Sequence, residues 1–281
     1  IVGVSQVSSG GFFNQGFTSD HWQLDEPIYW SPQDTLERLD QKVEIYNQGR
    51  KLTIVAEVHE ITGETGFKIP QILVDTNFEA NTPEDRKITS ALYDSESDVI
   101  KLSQRNVLCQ GGLKLLRALG YSSIQVFDLN ECHTSFVGLE RLIETGGDIE
   151  AVRKSCKFTN HTPIGTGFEK YPMNTIRYVL GDKFLPSNIS GLSGNLPLFA
   201  DTNEKLNLTI LGANLSDYVG GVSRKHAEVC SVMPEFKGKS VKYVTNGIHP
   251  RTWATPHISK LFDQHFKYWS MDPRILELIS E

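Results

Sequence analysis

The sequence lacks three features that would each point to a well-defined class of protein. No apolar run approaches the roughly 18 residues that a membrane-spanning helix needs. Lysine and arginine number 28 against 34 aspartates and glutamates, so the clustered basic surface typical of nucleic-acid binding is not expected. The four cysteines are scattered without a CxxC pair, which argues against a structural zinc site and for reduced thiols in the cytoplasm. We therefore expect no nucleic acid, membrane or metal as a partner.

What remains is an ordinary globular composition of 281 residues, 39% of them hydrophobic. Runs rich in β-branched residues predict strands at KLTIVAEVHEI, KIPQILVDTN and IQVFDLN. Helical spacing of apolar residues predicts helices at NVLCQGGLKLLRALGY, TSFVGLERLIETGG and PHISKLFDQHF, and the stretch around Gly220-Gly221 is interpreted as interrupted helices. This alternation predicts an α/β domain with a mostly parallel sheet and helices on both faces.

An aromatic, glycine-rich stretch near the start of the chain, SSGGFFNQGFTSDHWQLDEPIYW, is interpreted as a loop. Its rings could form a platform on which sugars stack. They could equally be a hydrophobic cover over the sheet.

Short apolar runs also predict strands at KFTNHTP and YVTNGIHP, and these two, like the strand at VFDLNECH, end in asparagine and histidine. Asparagine and histidine after a strand are often only turn or cap residues, and that explanation suffices for any one of these ends. Ligands of open α/β sheets bind beyond the carboxyl ends of the strands, so three such ends together favour a site. Amides and neutral imidazoles supply paired donors and acceptors with little charge, which suits the hydroxyls of a polyol.

Two other chemistries could use the first of these strand ends. Cys132 and His133 could form a nucleophile pair, although adjacent residues rarely do so because such partners usually lie far apart in sequence. A metal site built from Glu131, His133 and His161 would require those three side chains to converge.

Six motifs, in order along the chain, resemble those of the α-glucan (glycogen, starch and maltodextrin) phosphorylases. They are GGFFNQGFTSDHWQLDE, LYDSESDVIKLSQRNVLCQGGLKLLRALG, FDLNECHTSFVGLERL, FTNHTPIGTGFEKYP, YVGGVSRKHAEVCSVMP and YVTNGIHPRTWATPHISKLF. The resemblance implies that residues 1–281 form an incomplete N-terminal lobe, with a Rossmann-like sheet, of a two-lobe GT-B type glycosyltransferase. The C-terminal, cofactor-binding lobe is then absent from this chain.

The implied activity of the full-length enzyme is phosphorolysis of terminal α-1,4-linked glucose by inorganic phosphate, giving glucose 1-phosphate. The implied cofactor is pyridoxal phosphate, whose lysine lies in a GTSNMKF-like motif of the other lobe that this chain does not contain. The chain is therefore expected to bind no cofactor covalently and to be inactive alone. A homo-oligomer is also expected, because the sheet edge at IVGV and the wall of the crevice would be uncovered and would favour self-association. Two alternatives are a non-catalytic glucan-binding module or relic, and a sugar-nucleotide glycosyltransferase of the same architecture.

The resemblance and the strand ends together give a set of predicted substrate-binding residues and no catalytic residue. His226 matches the histidine that hydrogen-bonds the sugar at the cleavage subsite. The sequence departs from the family at Cys132, usually glycine, at Arg105, usually glutamate, and at Gly220, usually asparagine. The predicted set is Asn130, Glu131, His133, His161, His226 and Asn246.

Overall fold

The computed structural model describes residues 1–91, 97–182 and 205–278, and shows a mixed α/β fold. Part of the second motif, at residues 92–96, lies outside the described residues. The strands are β1 (Gly3–Gln6), β2 (Phe12–Phe17), β3 (Gln23–Ile28), β4 (Glu37–Arg38), β5 (Val43–Asn47), β6 (Arg50–Thr62), β7 (Lys68–Asp75), β8 (Phe127–Asn130), β9 (Cys156–Asn160), β10 (Lys170–Pro172), β11 (Lys205–Asn207), β12 (Tyr218–Gly221) and β13 (Val241–Tyr243). The α-helices are α1 (Pro32–Thr35), α2 (Asp98–Asn106), α3 (Gly112–Ala118), α4 (Phe136–Glu144), α5 (Ile149–Ser155), α6 (Met173–Leu180), α7 (Leu208–Asn214), α8 (Arg224–Ser231), α9 (Pro250–Trp253) and α10 (Pro256–His265).

A four-stranded parallel sheet, in the order β13-β12-β9-β8, carries the predicted strand ends. A second sheet, β1-β7-β6-β4 with β5 on β6, is parallel only between β1 and β7. The prediction of one mostly parallel sheet is therefore correct for the first sheet and wrong for the second. β6 and β7 are joined by a short turn over residues 63–67, and so short a connection can only join antiparallel neighbours.

The interpretation of Gly220-Gly221 as a break between helices is wrong, because both residues belong to the central strand β12. Glycine weakens a strand because it has no side chain to pack, so the sequence around Gly220-Gly221 does not look like a strand. Here β9 and β13 pair with β12 on its two sides and supply the hydrogen bonds that keep it extended.

Two hydrophobic cores hold the helices against the sheets. One lies on the parallel sheet and includes Phe136, Leu139 and Phe158, all buried. The other lies on the second sheet, around Leu52 and Ile54. The predicted helix over NVLCQGGLKLLRALGY is confirmed as one continuous run from α2 through a π-helical turn, Val107–Gly111, into α3. Each fully buried leucine or phenylalanine contributes about 1.5–3 kcal/mol, so these clusters fix the strand ends described below.

The aromatic stretch near the start of the chain is not a loop, because it contains the antiparallel hairpin β2–β3. It does not cover a sheet either: Phe17 and Trp22 are 76% and 75% exposed. Apolar and polar residues do not alternate in FFNQGF and QLDEPI, because both faces of the hairpin are exposed, so the pattern of a strand is missing from the sequence. The predicted surface helix α10 is confirmed. Within the described ranges, no helix is long and apolar enough to cross a bilayer.

Candidate functional site

The candidate site lies at one edge of the parallel sheet. Because all four strands run in the same direction, their carboxyl ends lie along that edge. β8 ends at Asn130, β9 at Asn160, β12 at Gly221 and β13 at Tyr243. Glu131 and His161 directly follow β8 and β9, whereas His226 lies in α8 and Asn246 lies further along the loop that comes after β13. The strand predicted at YVTNGIHP therefore ends before Asn246.

Glu131 fastens the end of β8 to the end of β9. Its backbone has φ +68°, which is unusual for a residue other than glycine. Its buried carboxylate accepts hydrogen bonds from the Cys132 N–H (2.9 Å) and the His161 N–H (2.7 Å). The Thr162 hydroxyl adds a third bond at 3.1 Å. Glu131 therefore positions the second strand end, and Thr162 is a site residue that the sequence analysis missed.

His161 and Asn130 form the pair most open to a ligand. The imidazole Nε2 lies 2.8 Å from the Asn130 Oδ1, and the Asn130 side chain is exposed. With Oδ1 as the acceptor, Nε2 carries the proton, so the ring keeps Nδ1 as an acceptor while Asn130 keeps its amide N–H donors. A donor and an acceptor side by side can bind a hydroxyl group through both its lone pair and its proton.

His226 is seated at the start of α8, behind this pair. The Ser223 hydroxyl caps the helix by accepting from the His226 N–H (3.1 Å), and the Val222 N–H points to the imidazole Nδ1 at 3.4 Å. A side chain at Gly221 would collide with the His226 imidazole, because a Cβ there would lie 2.7 Å from Nδ1. The glycine at the end of β12 thus makes room for the imidazole.

The surroundings of His226 keep its ring neutral. Burial lowers the pKa of His226, and the nearby His161 lowers it further, while the Glu131 charge and the backbone groups of His161 and Thr162 oppose this shift. The net direction is downward, so the imidazole is uncharged at neutral pH. His226 therefore connects α8 to the second strand end from within the protein and is largely inaccessible to a ligand.

His133 turns away from this group and faces Glu169. Its Nδ1 lies 3.3 Å from a Glu169 oxygen, and Arg105 pairs with the same carboxylate through two bonds, of 2.6 and 3.1 Å. The Tyr171 hydroxyl donates at 2.9 Å. Burial alone would raise the pKa of Glu169, but His133 and Arg105 together lower it far below the ordinary carboxyl value. Arg105 stands out in the sequence without its partner, because Glu169 lies 64 positions away along the chain.

The Cys132–His133–Glu169 trio is the one group in the described part of the chain whose donor atoms could surround a metal ion, all within 4.8 Å of one another. Arg105 already binds the Glu169 carboxylate, and its positive charge opposes a cation there. Burial raises the pKa of the Cys132 thiol and keeps it protonated, so it is neither a ready metal ligand nor an activated nucleophile. The alternative set of Glu131, His133 and His161 does not converge, since Glu131 binds backbone N–H groups instead.

The third strand end joins the edge through its backbone. The Asn246 N–H donates to the Val222 carbonyl at 3.1 Å, while the Asn246 side chain is exposed. His249 is tied elsewhere: its Nε2 lies 3.2 Å from Glu64 in the turn between β6 and β7. Of the predicted residues, Asn130, Glu131, His161 and His226 are thus brought together, and His133 and Asn246 flank them.

The residues at the centre of the site provide one amide, two imidazoles, one carboxylate and one hydroxyl. Asn130, His161 and Thr162 can exchange hydrogen bonds with an uncharged polar ligand. None of these groups is a lysine or arginine. The arrangement therefore suits hydroxyl groups better than phosphate.

Comparisons with known proteins agree with the motifs. No protein-family model matches the chain. It is 32% identical to a glycogen phosphorylase of Aquifex aeolicus over 94% of its own length, which is 40% of that relative. It is 28% identical to a maltodextrin phosphorylase of Thermococcus litoralis, over 94% of this chain and 33% of the relative. A glycogen phosphorylase of Mycobacterium tuberculosis is 27% identical over 91% of the chain and 33% of that protein.

The resemblance found in the six motifs is therefore confirmed across nearly the whole chain. The chain is homologous to proteins named glycogen and maltodextrin phosphorylase, and it spans between a third and two fifths of their length.

Proposed function

We propose that residues 1–281 are part of the N-terminal, Rossmann-like lobe of a two-lobe α-glucan phosphorylase. In the complete enzyme the reaction is phosphorolysis of a terminal α-1,4-linked glucose to glucose 1-phosphate. The relatives named as glycogen and maltodextrin phosphorylases support this proposal. The part assigned to this chain is the wall of the active site that binds the glucan.

The observation that carries the proposal is the His161–Asn130 pair, held in place by Glu131. The Nε2 of His161 and the Oδ1 of Asn130 lie 2.8 Å apart, and this bond leaves the Asn130 amide N–H as a donor and the His161 Nδ1 as an acceptor at the open edge of the sheet. The Glu131 carboxylate fixes the His161 backbone at 2.7 Å, so the imidazole is oriented before a ligand arrives. A sugar hydroxyl bound there loses little binding energy to reordering of the protein.

Pyridoxal phosphate, the cofactor implied for the family, does not fit the residues of this edge. An aldehyde cofactor needs a lysine amine, and its phosphate needs basic side chains or a helix N-terminus. The central residues of the site provide an amide, imidazoles and a carboxylate instead. We infer that the cofactor is bound outside this chain and that the chain alone does not catalyse phosphorolysis.

Glucose 1-phosphate production and maltopentaose binding test the two halves of this proposal separately. The 281-residue chain is incubated with maltodextrin and phosphate, and glucose 1-phosphate is assayed; we expect none. Calorimetric titration with maltopentaose should show binding that His161→Ala and Asn130→Ala each weaken by about tenfold, the effect of about 1.4 kcal/mol. His257→Ala, which removes an exposed imidazole from α10, is the matched control and should bind as the wild type does.

The outcomes separate the candidate functions. Production of glucose 1-phosphate by the isolated chain would refute the proposal that the chain is inactive alone. Binding that persists in a complete protein without any phosphorolysis would favour the second candidate, a non-catalytic glucan-binding module. That candidate is supported by the internal hydrogen bonds that already occupy Glu131 and His226. The homo-oligomer expected from the sequence also stays a prediction, which light scattering tests.

A further inference from the structure

The imidazole of His133, just beyond the carboxyl end of β8, lies between two groups that compete for its Nδ1. That nitrogen is 3.3 Å from a Glu169 carboxylate oxygen and 3.8 Å from the Cys132 Sγ. The His133 side chain is 31% exposed, and within residues 1–91, 97–182 and 205–278 no hydrogen bond uses its Nε2. The proton of a neutral imidazole can lie on either nitrogen, so the partner of Nδ1 decides what Nε2 offers to a ligand.

Glu169 and Cys132 would place this proton on opposite nitrogens. An ionised carboxylate can only accept, so a bond to Glu169 requires the proton on Nδ1 and leaves Nε2 as an acceptor. A thiol that donates to Nδ1 would instead leave the proton on Nε2. The bond to the charged carboxylate is the shorter one and about twice as strong as a neutral bond, whereas a thiol is a weak donor. The Glu169 bond therefore sets the tautomer.

Arg105 is required for this result, because it keeps Glu169 ionised. A protonated Glu169 could donate to Nδ1 and would reverse the tautomer. The Arg105 guanidinium binds both carboxylate oxygens, at 2.6 and 3.1 Å, and the Tyr171 hydroxyl donates to the same group at 2.9 Å. Burial alone would raise the pKa of Glu169, but His133 and Arg105 hold it far below its ordinary value.

The helical run from α2 to α3 holds the backbone of His133 as well as its ring. Arg105 lies in α2, and Cys109 lies four residues further on, in the π-helical turn. The Cys109 thiol donates to the His133 carbonyl at 3.3 Å, and burial raises the pKa of this thiol to about 12, so it stays protonated. One helix thus contacts His133 directly through Cys109 and indirectly through Glu169.

We propose that Arg105 and Glu169 are positioning residues that keep the proton of His133 on Nδ1, so that Nε2 accepts a hydrogen bond from a sugar hydroxyl. The choice of a sugar as the ligand rests on the proposed function of the strand edge. Arg105 and Cys132 are positions at which the sequence departs from the family motifs, so the arrangement is a property of this chain. An oriented, uncharged acceptor suits a hydroxyl, which can donate, and disfavours an ionised phosphate, whose oxygens only accept.

The tautomer can be measured without a ligand. Protonated and unprotonated imidazole nitrogens differ clearly in 15N chemical shift, which NMR of the labelled 281-residue chain measures at neutral pH; His133→Asn identifies the signals of this residue. We expect the wild type to carry the proton on Nδ1. In Arg105→Met and in Glu169→Gln we expect a protonated Nε2, because a neutral carboxyl or amide group can donate to Nδ1. Cys132→Ala removes only the competing thiol and is the control, which should resemble the wild type.

Maltopentaose binding tests the use of Nε2. In His133→Asn the shorter amide can still bond to Glu169 but has no group at the position of Nε2. We therefore expect the calorimetric Kd for maltopentaose to rise about tenfold, while the midpoint of urea denaturation stays close to that of the wild type. His257→Asn makes the same exchange at an exposed imidazole of α10 and is the matched control.

The two measurements can fail independently. A wild type with its proton on Nε2, or unchanged ring nitrogens in both Arg105→Met and Glu169→Gln, would overturn the positioning role; if Arg105→Met does not fold, Glu169→Gln decides, because it keeps the side-chain volume. A wild type that binds maltopentaose as tightly as His133→Asn does would overturn the sugar contact. If the wild type binds no maltopentaose, the proposed function and the sugar contact both fail, and the nitrogen shifts alone decide whether Arg105 and Glu169 position His133.

Discussion

Replacing Glu131 by glutamine isolates the contribution of its carboxylate to the site. The two side chains have the same shape, so the positive φ of +68° and the packing are retained. Glutamine offers one oxygen instead of two. When that oxygen accepts from His161 and Thr162, the new amide nitrogen faces the Cys132 N–H, and two donors oppose each other.

The expected loss of stability follows from those three bonds. A buried N–H left without an acceptor costs about 1–3 kcal/mol. The two remaining bonds lose the negative charge of their acceptor and become about half as strong. The expected decrease in the free energy of unfolding is therefore about 2–4 kcal/mol, a large part of the about 5–15 kcal/mol typical of a domain.

Urea denaturation of the wild type and of Glu131→Gln measures this difference. Glu44→Gln is the control, because Glu44 pairs with Lys51 on the surface and its loss should not shift the midpoint measurably. Maltopentaose affinity should fall with Glu131→Gln as the His161 backbone loses its fixed position. A midpoint equal to that of the wild type, with affinity unchanged, would show that the carboxylate does not hold the two strand ends together.

Two further substitutions examine the surroundings of the site. Arg105→Met leaves Glu169 buried beside His133, so we expect a loss of about 3 kcal/mol in urea denaturation. The pKa of Glu169 in the folded protein lies below its ordinary value of 4.5, so its ion pair stabilises the wild type above pH 4.5. This stabilisation is lost as the pH falls from 4.5 through the folded pKa. If Arg105→Met lost as much stability in acid as the wild type does, this account would be contradicted. Gly221→Ala places a Cβ 2.7 Å from the His226 ring and 3.1 Å from the Ala227 nitrogen, so the melting temperature should fall by the equivalent of about 1–3 kcal/mol. Gly247→Ala, where a Cβ meets nothing within 4 Å, is the control and should leave the melting temperature unchanged. Equal melting temperatures of the two variants would show that the His226 imidazole is not closely packed against Gly221.

The strands and helices that bury apolar residues could be predicted from the sequence. β6, β7 and β9 are rich in β-branched or aromatic residues facing a core, and α4 has its apolar residues at helical spacing. β12 could not be predicted, because two of its four residues are glycine and its extended shape comes from its neighbours. Local propensity fails where long-range pairing decides the structure.

The residues of the candidate site likewise include some that the sequence could predict and some that it could not. Asn130 and His161 could be predicted, since Asn130 ends one strand, His161 directly follows its neighbour, and parallel strands bring such positions together. Glu169 could not, because its place beside His133 and Arg105 depends on how the chain returns after β9. The predicted role of His226 as a direct sugar contact remains a prediction, and its burial favours a supporting role instead.

The site consists of an outer pair and an inner layer with different chemistry. Asn130 and His161 face outward and keep free donors and acceptors, whereas Glu131 and His226 form their hydrogen bonds inside the protein. Because the inner groups are buried, their hydrogen bonds are protected from competition with water and hold the outer pair in one arrangement. A ligand that meets this pair encounters groups already oriented, so a small number of uncharged contacts can select hydroxyls at defined positions. The outer pair depends on an intact inner layer, because each inner bond that is lost leaves a buried polar group unsatisfied and lets the outer pair move.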